Sequence, residues 1–188
     1  MRLAIFIVLL FAFLSPASAA DAASKPAPQW YLDDIEFLTS GSGRWVASNA
    51  AYQSDDEPMT AYVIEWNKGY ANSMTGRLFG IVDGKETQDF WRFRQYWHPG
   101  EGKAYLEQFG IGGAFGVGPM QREDDKTKME QVFYAPDGSA SVTGHLSHNP
   151  GAHTHVTDSF DVIDGEWKPR RSYTWHREPE PLKEKITE

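Results

Sequence analysis

A chain of 188 residues that is 40% hydrophobic and 14% aromatic can bury one sizeable core, so a single domain is the default. Its formal charge of −8, from 18 basic and 26 acidic residues, argues against nucleic acid or an anionic membrane surface as partner. With no cysteine, disulfide stapling and lipidation of an N-terminal thiol are both excluded, and stability has to come from packing.

The first element is a leader. Arg2 supplies a positive start, Leu3 to Leu14 form an unbroken apolar run, and "SPASAA" follows with a proline and small residues suited to a signal peptidase. The run is shorter than the roughly 20 residues that span a bilayer, so residues 1–20 read as a signal peptide rather than a membrane anchor. The expected product is exported to a periplasm or the extracellular medium. Residues 21–28, "DAASKPAP", read as a linker, and 178–188 as a charged, disordered tail, because neither carries enough apolar surface to fold. The domain is expected over 29–177.

Within it, "QWYLDDIEFLTSG" places Trp30, Ile35 and Leu38 at helical spacing, carries acids early and stops at Gly41, which predicts one short helix. From Gly43 onward helical periodicity gives way to segments rich in aromatic and β-branched residues, punctuated by "NKG", "DGK", "HPGEG", "EDD", "PDG", "NPG" and "DGE". Such turns join antiparallel neighbours. The expected fold is all-β: an antiparallel up-and-down β-barrel of about nine to ten strands behind a short N-terminal helix, closure being the way to leave no exposed edge.

A short helix, then "GRW" (Gly43, Trp45) on a first strand, then a meander ending in the aromatic strand "YTWHR", resembles lipocalin-like (calycin) barrels. The chain looks closest to secreted bacterial lipocalin-like domains of unknown function. The resemblance implies that Trp45 sits at the barrel base near a basic residue of the last strand, Arg177, in a structural role. The haem-binding nitrobindin-like branch also opens with a helix and a G-x-W strand, but its glycines continue past the tryptophan where this chain reads "GRWVASN".

Four of the six histidines fall in "HLSHNPGAHTH", residues 145–155. A hairpin centred on Pro150 would set His145 opposite His155 and put His145, His153 and His155 on one face, able to take three corners of a zinc tetrahedron. The same register puts Val142, Leu146, Val156, Phe160 and Val162 on the other face, and apolar residues normally take the inside of a small barrel. A solvated outer hairpin is therefore preferred, with zinc or haem as the lesser alternative.

The second region of interest is "FWRFRQYW", where Trp91, Phe93, Gln95 and Trp97 alternate with Arg92 and Arg94. If the tryptophan face lines a cavity, it forms an aromatic slot with Gln95 to orient a ligand; if the other face does, Arg92 and Arg94, balanced by Glu107, would grip a carboxylate or phosphate. Trp66, Tyr173 and Trp175 join the candidate wall if the barrel is hollow. "GIGGAFGVG" (110–118) lacks phosphate-loop spacing and reads as a bend, and "REDDKTKME" as a solvated loop entering a strand. No nucleophile sits in a recognisable elbow and there is no thiol, so the chain is read as a binding protein rather than an enzyme. The expected partner is a small apolar or aromatic molecule, with no cofactor. The alternatives are a metal- or haem-binding protein or metalloenzyme using the histidine hairpin, and an envelope interaction protein with a filled barrel.

Overall fold

A computed structural model describes residues 24–179. The expected signal peptide, the start of the linker and nearly all of the tail lie outside the described residues.

Helix α1 (Gln29–Thr39) begins after Pro28, whose φ of −71° suits the residue that precedes a first turn, and ends where Gly41 turns at φ +63°. Tyr31, Asp34, Ile35 and Leu38 are buried at spacings of three and four, the stripe a helix presents when it lies on a core. Ten strands follow: β1 (Arg44–Ser48), β2 (Ala61–Lys68), β3 (Ser73–Val82), β4 (Lys85–His98), β5 (Lys103–Gly110), β6 (Phe115–Glu123), β7 (Lys126–Tyr134), β8 (Ala140–Gly151), β9 (Thr154–Ile163) and β10 (Glu166–Arg177). Each pairs antiparallel with its chain neighbours, and β1 closes on β10. The described residues thus form a closed up-and-down barrel with α1 before it, consistent with a calycin-like fold.

The helix covers one end. Tyr31 donates its hydroxyl to Asn72 O at 2.9 Å, Trp45 Nε1 donates to Leu38 O at 2.9 Å, and the Arg177 guanidinium donates to Phe37 O. Trp45 pairs in register with Arg177, whose guanidinium lies 4.6 Å from the indole centroid. The linker is bound rather than loose from Lys25 on: its N–H donates to Pro99 O, its carbonyl accepts from Trp97 Nε1, and Ala27 packs on the core. Glu178 is likewise tied, its N–H to Arg44 O.

One strand was absent from the sequence reading. β6 runs through "FGVGPMQRE", expected to be a bend and a loop, because Gly116 and Gly118 give strands β5 to β7 room to approach. A side chain on Gly118 would meet Glu130 O, and the Phe133 ring lies directly over Gly116. The same device recurs where Trp66 faces Gly76 and Trp91 faces Gly110 as register partners. A large ring lies flat where its neighbour strand has no side chain, so the inward aromatics occupy the wall rather than fill the centre.

Candidate ligand-binding cavity

The register fixes which side chains point inward. On β4 it is the tryptophan face: Trp91, Phe93, Gln95 and Trp97 pair with Gly110, Gln108, Leu106 and Ala104 of β5 on the interior. Arg94 and Glu107 stand outside, ion-paired to each other at 2.6 Å, so the anion-gripping option for this strand is not what the fold builds.

The histidine hairpin differs from expectation in two ways. Its register pairs His145 with Ser159 and His155 with Trp175, and the turn lies at Ala152 and His153 rather than at Pro150. More importantly, the face carrying His145 and His155 points in, with Ser141, Thr143, Ser147, Thr157 and Ser159, while Phe160 packs outside against Trp167. The apolar-inside rule fails because this wall borders a cavity and not a packed centre. His153 is exposed at the turn, apart from the other two. Among the described residues no group of three His, Cys, Asp or Glu side chains is placed to hold a metal ion.

The interior is a cavity of about 740 Å³ reached from the end opposite the helix. Tyr62, Ile64, Leu78, Phe90 and Trp91 form one side, and Tyr173 and Trp175 continue it. Across from them stand Thr143, His145, Thr157 and Ser159, with Gln108 beside them, so the cavity is aromatic on one wall and hydroxyl-rich on the other. Below it, toward the helix, a smaller chamber of about 180 Å³ is lined by Trp66, Phe93 and Gln95 among others and shares Ile64, Gln108, His145 and Thr157 with the upper one. Of the nine residues expected to form the wall, Trp91, Tyr173 and Trp175 line the main cavity and Trp66, Phe93 and Gln95 the lower chamber. Trp97 instead sits at the base beside Pro26, Pro28 and Trp30.

Burial sets the electrostatics. Desolvation, with a smaller push from Arg170, brings His145 down to about 4, and its Nε2 has no hydrogen-bond partner. His155 falls to about 4 for the same main reason, with His148 adding to it, and its Nδ1 meets Asn149 Oδ1 at 2.6 Å. Both rings are therefore neutral at pH 7. Asp34, from the cap helix, is pushed up to about 6 by burial, against the opposing help of Gln95, Asn149 and Arg122. The sequence reading missed Asp34, although a signal exists: it lies three residues from Tyr31 and four from Leu38, on the buried stripe.

The mouth carries a polar network. Glu57, from the loop joining β1 to β2, accepts both terminal nitrogens of Arg171 at 2.6 Å, the Tyr62 hydroxyl at 2.7 Å and Asn49 Nδ2 at 3.1 Å. The Arg171 hydrogen bonds hold the Glu57 carboxyl down at about 2. The Tyr173 hydroxyl completes the ring by donating to Asn49 Oδ1.

No family model matches this chain, and no curated protein matches it significantly. The functional reading rests on the geometry.

Proposed function

We infer that this is a binding protein that holds a small, largely apolar or aromatic molecule inside its barrel without transforming it, and that it works after export, in a periplasm or outside the cell. The observation that carries this reading is the open interior of about 740 Å³, with aromatic rings on one wall and hydrogen-bonding groups on the other. That volume and that mix are typical of small-molecule sites, where apolar surface supplies affinity and a few polar groups fix orientation. The metal or haem alternative has less support, since His153 stands apart from the two inward histidines. The interaction-protein alternative draws on Phe109, Ile111 and Tyr134, exposed outside near the mouth, but a filled barrel does not describe this interior.

Native mass spectrometry of the protein purified from its natural compartment is the test. The expected result is an adduct of organic mass released on denaturation, reduced at least tenfold in occupancy by Trp91→Ala. A retained metal or haem lost on His145→Ala would replace this reading.

A further inference from the structure

The lower chamber differs from the cavity above it in charge. Its lining contains one carboxyl, Asp34, and no lysine or arginine. Asp34 is 9% exposed and forms no ion pair among the described residues. Arg122 of β6 acts on it only through space, its guanidinium being engaged by Asp124 O and Thr127 Oγ1. Gln95, which is 2% exposed and whose Nε2 stops short of any hydrogen bond of normal geometry, and Asn149 are the neutral groups that favour its ionised form; His145, whose buried Nε2 also has no partner, lines the same chamber. Trp66 and Phe93, 5.4 Å apart and tilted by 30°, bring aromatic surface to the same space.

A buried carboxylate without a counter-ion is costly, and a protein retains one where something else completes it. A ligand carboxylate or phosphate would add like charge in a desolvated space. A neutral hydroxyl would leave the charge uncompensated. A protonated amine supplies the missing positive charge, donates to Asp34 and to a neutral imidazole nitrogen, and is favoured by aromatic surface.

Resting on the ligand-binding reading, we propose that the lower chamber is a subsite for a protonated amine, with Asp34 as its counter-ion and His145 as a hydrogen-bond acceptor, so that the natural ligand is an aromatic or apolar amine. The apolar body occupies the main cavity against Trp91, Tyr173 and Trp175. The head reaches down past His145, which lines both spaces.

The experiment is calorimetric titration of the purified protein at pH 7.5 with three probes that share an indole body: tryptamine, tryptophol and indole-3-acetate. Tryptamine is expected to bind at least tenfold more tightly than tryptophol, with the acetate weakest. In Asp34→Asn the tryptamine preference should shrink to within twofold, while tryptophol affinity changes by less than threefold, which shows that the cavity remains intact. Equal binding of tryptamine and tryptophol to the native protein, or a tenfold preference surviving in Asp34→Asn, overturns the amine subsite and leaves the binding reading standing. Silence from all three probes counts against both.

Discussion

Asp34 and the two inward histidines pull in opposite directions as pH changes, which gives the chamber a signature in stability. A histidine whose folded pKa lies near 4 favours the fold fully above its unfolded value of about 6.5, and that contribution is lost as pH falls from there toward 4. Asp34, raised to about 6, does the reverse: its ionised form costs stability above pH 6, and the cost fades as pH falls toward about 4, where it protonates in the unfolded chain too. Asp34→Asn should therefore raise stability at pH 7 by about 1–3 kcal/mol, and should steepen the loss between pH 6.5 and 4 because only the histidine contribution remains. Urea unfolding at a series of pH values measures both. A variant less stable by more than about 1 kcal/mol at pH 7 would mean that the carboxylate supports the helix cap rather than waiting for a ligand. At this scale the sequence showed the aromatic wall, since alternation on β4 kept Trp91, Phe93 and Gln95 together whichever way the strand faced. It did not show Asp34, because an acid early in a helix reads as solvated until its place on the buried stripe is weighed.

Among the elements, the loop between β1 and β2 (residues 49–60) has a part that its irregular composition hides. β1 is only five residues long, so beyond Ser48 the upper part of β10 has no β1 partner. The loop covers that gap: Tyr52 exchanges hydrogen bonds with the Ser172 backbone, Asn49 meets Tyr173, and Glu57 holds Arg171. Glu57→Gln keeps the shape but removes the charge pair, and with Arg171 a third exposed the expected cost is only about 1 kcal/mol of global stability. Ligand exchange should respond more strongly, several-fold faster in both directions by stopped-flow tryptophan fluorescence, because the loop borders the mouth. Unchanged rates would place ligand entry elsewhere on the rim. With Glu57 held near 2, its contribution is present above the ordinary carboxylate range and is lost only as pH falls toward 2, so mild acid does not open this loop. Two other elements explain what the sequence hid. β6 reads as a bend because its inward positions are glycines, and the β8–β9 pair reads inside-out because its inner face is serine, threonine and histidine.

For the whole molecule, the architecture was legible because turn dipeptides recur at strand spacing behind a helical segment; closure was legible only as the general way to leave no exposed edge, without the register of the seam. That seam is thin, with two register pairs, Trp45 with Arg177 and Val46 with His176. Its strength has to come from outside the ladder. The Arg177 guanidinium stands 4.6 Å from the Trp45 ring and 5.0 Å from that of Phe37, and donates to Phe37 O, joining the last strand, the first strand and the cap helix. Cation–π contacts and a charged hydrogen bond together are worth about 2–3 kcal/mol, against the burial cost that already lowers the pKa of this guanidinium. Arg177→Ala should therefore lower Tm by about 5–10 °C for a chain of this size. Because one group ties three elements at the point where the sheet meets itself, hydrogen exchange should rise first in β1, β10 and α1, while amides of β5 to β7 on the far side keep native protection. Uniform acceleration around the barrel would instead mean that the sheet opens as one cooperative unit, and that the base cluster orients the cap without limiting closure.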